Sequence, residues 1–128
     1  MSHYAKVLDG KVVNILVADA SFISSFVDET PGKWIETSKK THGGVLYNED
    51  GTPASDQSGA LRKNYASVGG NYDVWNDVFY DAQPFPSWSL NKSTYQWESP
   101  LTKPGDDYYW DEVAYQADNS KGWTAFLR

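Results

Sequence analysis

Cysteine is absent from this 128-residue chain. That removes disulfides, thiolate metal sites and cysteine nucleophiles together, and it fits a reducing compartment. Histidine is scarce. His3 lies beside the N-terminus and His42 precedes two glycines. Neither belongs to an HExxH or HxH metal spacing, so both read as solvated loop histidines. Basic residues are few and scattered: 11 Lys and Arg stand against 17 Asp and Glu, for a net charge of −6. Nucleic acid, whose phosphates call for a basic face, is not an expected partner. Apolar runs are short of the ~18 residues that a membrane helix needs. The opening MSHYAKVLDG also lacks the charged-then-apolar layout of a signal peptide. The expectation is an acidic, soluble chain without a membrane role. There is no GxSxG elbow, no GxGxxG and no phosphate loop, so the expected enzymatic status is none and no cofactor is expected.

What the chain has instead is aromatic surface. Aromatics make up 16% of the residues, with six tryptophans: Trp34, Trp75, Trp88, Trp97, Trp110 and Trp123. A chain of this length forms about one domain and buries roughly two thirds of its unfolded surface. With few Leu and Ile, its core must use large rings.

Three sections follow from pattern, at 1–37, 38–70 and 71–128. In the first, Asp9-Gly10 is a two-residue hairpin turn, because both central positions need positive φ. Residues 4 to 8 and 11 to 18 are thus expected to pair. Asp19 suits a helix N-cap. Phe22, Ile23, Phe26 and Val27 share one helical face, expected to lie on the hairpin. Thr30-Pro31-Gly32 ends the helix, and residues 33 to 37 read as another strand. The second section is rich in Gly, Ser, Asn, Asp and Thr. It reads as a long irregular loop with one small hairpin near Asn48–Gly51, and a loop of that length is usually functional or ordered by a partner.

The third section carries an internal repeat. Tyr72-Asp73 is followed by Phe79, Leu90-Asn91 by Trp97, and Trp110-Asp111 by Trp123. An insertion around Val113 to Asp118 accounts for the longer third spacing. Each unit reads as a hairpin whose Asp or Asn starts the turn by accepting from backbone amides two residues on. Prolines 84, 86, 100 and 104 fall between hairpins, where no ladder donor is required. Three hairpins in a row predict a meander-like antiparallel sheet, with Leu90 and Trp97 in one core with Tyr72 and Phe79. The fold class expected is α+β, mostly β: an N-terminal hairpin with one short helix, then consecutive Trp-rich hairpins.

Two candidate sites emerge. Asp106, Asp107, Asp111 and Glu112 cluster near Trp110, where a carboxyl beside a ring can have a raised pKa. The alternating calcium-loop pattern is missing, and adjacent carboxylates on a strand face opposite ways. The group therefore reads as a solvated acidic turn, with no catalytic and no metal residue expected. Trp75 and Tyr95 break the repeat's phase. They are the aromatics expected to be exposed and to meet a partner, either a protein or a glycan.

Certain stretches also carry a resemblance: AKVLDGKVVNILVAD, GGVLYNEDGTP, ALRKNYA and PFPSWSLNKSTYQWESP. Together they resemble a family of small uncharacterised proteins of tailed bacteriophages, especially those of marine cyanobacteria. The likeness runs from Tyr4 to about Trp110. It implies no activity or catalytic residue. It does imply a virion or tail-associated context, with other phage structural proteins or a second copy as partners. The place implied is the virion, or the host cytoplasm during assembly. A carbohydrate or host-surface binding module is the alternative.

Overall fold

The computed structural model describes residues 2–126. The chain opens with β1 (Ser2–Leu8) and β2 (Lys11–Ala18), paired antiparallel. Asp9 and Gly10 sit at φ 51° and 77°, the conformation that the turn requires. The register steps at Lys6/Val7, which leaves Val13 as an extra residue on β2. Helix α1 (Ala20–Ser25) follows, and β3 (Lys33–Thr37) returns antiparallel to β1.

The segment 38–70 is more ordered than expected. It forms β4 (Thr41–His42) and β5 (Val45–Leu46) around Gly43-Gly44. A bridge between Tyr47 and Pro53 closes the expected turn at 48–51. Next come β6 (Asn71–Asp73) and β7 (Val78–Tyr80), the first hairpin of the repeat. This hairpin joins the N-terminal one, giving a five-stranded sheet in the order β3-β1-β2-β6-β7. The second and third hairpins are β8 (Ser89–Asn91) with β9 (Gln96–Glu98), and β10 (Tyr108–Trp110) with β11 (Trp123–Ala125). Helix α2 (Glu112–Ala117) occupies the insertion in the third turn. The fold is thus mostly β with two short helices. The meander is not one sheet: each later hairpin is its own two-stranded sheet.

The chain divides into two compact units, residues 1–82 with 91–96, and 83–90 with 97–128. The boundaries expected at 37 and 70 fall inside the first unit. Its core is Ala5, Val12, Ala66 and Phe79, with Val7, Ile15, Ile35 and Tyr72 packed around them. All three sequence sections contribute to this one core. Tyr72 and Phe79 belong to the first unit, whereas Leu90 and Trp97 belong to the second.

Successive strand residues face opposite ways, yet Tyr4, Ala5 and Lys6 are all buried. Both faces of β1 are covered. On the face opposite Ala5, the Lys6 ammonium pairs with Asp28 at 2.7 Å, bonds the Thr30 hydroxyl, and lies 5.9 Å from the centre of the Trp34 ring. Helix α1 does not bury the expected apolar face. Phe22, Phe26 and Val27 are exposed. The helix stops at Ser25 because Phe26 is already extended, at φ −68° and ψ 123°. Phe26 then turns edge-on to Trp34, 6.2 Å away.

The second unit is built on rings. Trp110 packs on Trp123 at 5.3 Å, on Tyr115 at 5.3 Å and on Trp88 at 5.9 Å. Phe85 adds a contact to Trp88 at 5.5 Å. Gly122 lets the chain pass this cluster, since a Cβ there would sit 2.5 Å from the Trp110 ring. Trp110 is buried at the centre of this cluster, and Trp88 and Trp123 are half-buried around it.

Candidate contact site at the Trp75 turn

The three repeat turns share one device. Asp73 Oδ1 accepts from the Trp75 and Asn76 amides at 3.0 and 3.2 Å. Asn91 Oδ1 accepts from Ser93 and Thr94 at 2.8 and 3.3 Å. Asp111 Oδ1 accepts from Ala114 at 3.0 Å. The same acceptor that starts two hairpin turns caps α2. In the third unit the chain continues the turn as helix, with the Tyr115 amide on the Asp111 carbonyl at 3.2 Å.

The first turn is pinned further. Asn76 Nδ2 donates to Asp73 Oδ2 at 2.7 Å. Asp77, left-handed at φ 54°, accepts from Arg62 Nε at 2.8 Å and from the Tyr72 hydroxyl. The amide of Asn76 holds the Asp73 carboxyl below its ordinary range. The Tyr72 hydroxyl and then Arg62 do the same for Asp77. Burial, and then the anionic partner, push Tyr72 up. Arg62 in turn donates from Nη1 to the Glu36 carbonyl at 2.9 Å. The turn is therefore fastened to β3.

Out of this turn stands Trp75, 92% exposed, next to exposed Val74. Val74 also forms part of the wall of an apolar groove of about 600 Å³. Val7, Leu8, Gly10, Gly32, Ile35 and Tyr72 line the rest, with Asp9 and Lys33 at its polar margin. Gly32 is required here: at φ +124°, an added Cβ would lie 2.9 Å from the Val7 carbonyl oxygen. The exposed indole thus follows a wall residue of the groove in the chain, on a turn held by several side-chain bonds.

Tyr95, the other expected contact residue, is not available. It is 8% exposed, its ring 6.0 Å from Tyr80 and 5.7 Å from the Lys92 ammonium. The cause is its φ of 55°, which turns the backbone back on itself. Asn64 then clasps it: Nδ2 donates to the carbonyls of Phe79, Thr94 and Tyr95, each at 3.0 Å. Tyr95 aligns in the repeat with Asp77, also left-handed. That alignment was the available signal that Tyr95 closes a turn.

The acidic group does not form an acid-base pair. Asp111 caps α2. Glu112 accepts from the Ser87 hydroxyl at 2.6 Å, Gln116 Nε2 at 2.6 Å and Trp110 Nε1 at 3.0 Å. These donors lower its pKa, the reverse of what a proton-donating carboxyl needs. Glu112 is thus a structural anchor rather than a solvated turn residue, and Asp106 and Asp107 lie exposed. Among the described residues no group of three or more His, Asp or Glu is placed to hold a metal. No described helix is long and apolar enough to cross a membrane.

The sequence reading missed two polar anchors. One is the Lys6–Asp28 pair, which Trp34 Nε1 also joins at 3.1 Å. The other is Asn64, whose Oδ1 accepts from the Gly43 amide at 2.8 Å. The LRKNYA stretch is thereby explained as structure. Arg62 and Lys63 are both left-handed, and the Arg62 carbonyl accepts from Phe79 at 2.9 Å. Comparison with protein-family models, curated proteins and solved structures found no match. The resemblance to phage proteins rests on the quoted stretches alone.

Proposed function

We propose that this chain is a non-enzymatic structural component of a tailed-phage particle, acting through protein–protein contacts at the Trp75 turn. The observation that carries the reading is Trp75 itself. An indole left 92% in water on a pinned turn, beside an apolar groove, is costly surface without a partner. Trp and Tyr are the residues that most often anchor protein interfaces. The phage context comes from the resemblance. Mass spectrometry of purified particles tests it: the chain is expected among virion proteins, and its incorporation is expected to fall with Trp75→Ala. Absence from particles would overturn the reading.

Binding of a glycan on the flat face of Trp75 is the second reading, favoured by the same exposure. The polar groups of the turn speak against it. Both Asp73 carboxylate oxygens and the Asn76 amide are committed to each other. Sugar hydroxyls need such groups free. A glycan array separates the two readings. A Trp75-dependent signal there would favour the sugar.

A further inference from the structure

We propose that two copies of this chain pair through the outer edge of β2, strand against strand, antiparallel about a two-fold axis at Leu16. The five-stranded sheet could add a strand at β7, at β3 or on the outer side of β2. At β7 the edge is covered: the Phe79 amide donates to the Arg62 carbonyl at 2.9 Å, and the Phe79 carbonyl accepts from Asn64 Nδ2 at 3.0 Å. At β3, Lys33 and Glu36 put charge on the edge, and Arg62 occupies the Glu36 carbonyl. On β2 the case differs. Strand β6 pairs with it only at Lys11, and the bonds from Gly69 and Gly70 reach no further than Val12. From Val13 to Ala18 that side is open, and the run VVNILVA has neither the charge nor the proline that guards natural edges.

The ladder sets what this side offers. Leu8 and Lys11 close the two-residue turn as a hydrogen-bonded pair. Beyond the step at Lys6, Tyr4 and Leu16 again form a bonded pair, so Ile15 and Val17 point their N–H and C=O away from β1. The Ile15 amide agrees, since it donates to the Asn14 side chain at 2.8 Å. Among the described residues, nothing bonds the Ile15 carbonyl or either backbone group of Val17. Free groups at alternate residues are the pattern that an added strand matches.

Their spacing makes β2 its own complement. With the axis at Leu16, Ile15 of one copy lies opposite Val17 of the other, and each such pair exchanges two bonds. The exposed Asn14 side chain releases the Ile15 amide to this partner. β-Branched Ile15 and Val17 meet across the join on one face, and Leu16 meets its own copy on the other. The join covers Val17, which is 48% exposed in the single copy. The register also ends in time. After Ala18 each chain leaves the edge for α1, short of the Gly69 and Gly70 that bond Val12 of the other copy.

Sedimentation velocity of the full chain, from micromolar to sub-millimolar concentration, tests this together with hydrogen exchange of the Val17 amide. Wild type is expected to pass from monomer to dimer, with that amide becoming protected as it does. Leu16→Glu and Leu16→Lys each set like charges face to face at the axis, and each is expected to weaken dimerisation at least ~10-fold. Mixed together, the two variants are expected to form a heterodimer, because only a residue on the axis meets itself. Leu16 is half-buried, so Val17→Pro guards against misfolding. It deletes an N–H that β1 does not use, at an exposed edge position where proline is tolerated, and should weaken the dimer similarly. The proposal is overturned by a wild type that stays monomeric, by a dimer that survives Val17→Pro, or by folded Leu16 variants that associate no better mixed than alone. Trp75→Ala is expected to leave the dimer intact, and its loss in that variant would also overturn the proposal. Failure at β2 leaves the reading of the Trp75 turn untouched.

Discussion

Single residues in this protein do work that their type does not advertise. Asn64 is the clearest case. It is buried, gives Nδ2 to three carbonyls and takes the Gly43 amide on Oδ1. Asn64→Ala orphans these groups, and each buried unsatisfied partner costs about 1–3 kcal/mol. Chemical denaturation is expected to show a loss in that range or above, with Tyr95 fluorescence changing early. Asp28 acts through charge. The Lys6 ammonium, then the Thr30 hydroxyl, hold its carboxyl well below the usual carboxylate range. A depressed pKa contributes stability above the unfolded value and loses it as pH falls through the folded value. Below about pH 4 the wild type therefore starts to lose this contribution. Asp28→Asn should lower the urea midpoint at neutral pH and narrow its gap to wild type in acid. An equal gap at both pH values would show that the pair carries no linkage.

At the scale of the element, one short motif gives two outcomes. Asp73, Asn91 and Asp111 all begin a turn by accepting backbone amides. Two of these turns lead directly into the returning strand, and the third runs through α2 before β11 returns to β10. Replacing the cap by Asp111→Ala is expected to cost about 1 kcal/mol, read as a lower melting temperature. Asp111→Asn, which keeps the acceptor, should restore most of it. The ring cluster of the second unit makes a sharper demand. Gly122→Ala places a methyl 2.5 Å from the Trp110 ring. A planar indole packed on Trp88, Tyr115 and Trp123 has little room to move. Near-UV circular dichroism, which reads coupled tryptophans, is expected to collapse in this variant.

At the scale of the whole molecule, the core is assembled from distant pieces. Ala5 and Val12 come from the N-terminal hairpin, Ala66 from the Gly-rich segment and Phe79 from the first repeat hairpin. Phe79 is 1% exposed. Phe79→Ala should cost about 3–5 kcal/mol and destabilise the first unit, as measured by hydrogen exchange of β1 and β2 amides. Trp75→Ala, at an exposed side chain outside this core, should change stability by less than about 0.5 kcal/mol. The contrast separates what the fold needs from what a partner needs.

The sequence by itself determined the local elements. Hairpin turns at Asp9-Gly10, the Asx-started turns, β3 and the place of the third insertion follow from backbone preferences that act within a few residues. It also marked Trp75, because a residue out of phase in a repeat has no partner across the strand. Only the tertiary structure decided the rest. Tyr95 was buried by a left-handed backbone and by Asn64, 31 residues earlier in the chain. Lys6, a charge in a strand, was drawn inside by Asp28, 22 residues on. The expected meander became separate sheets: β6 joined β2 of the N-terminal hairpin, and β7 ends that sheet as its edge without pairing to β8. Each of these outcomes depends on a partner distant in the chain, and neither periodicity nor turn chemistry carries information about such partners.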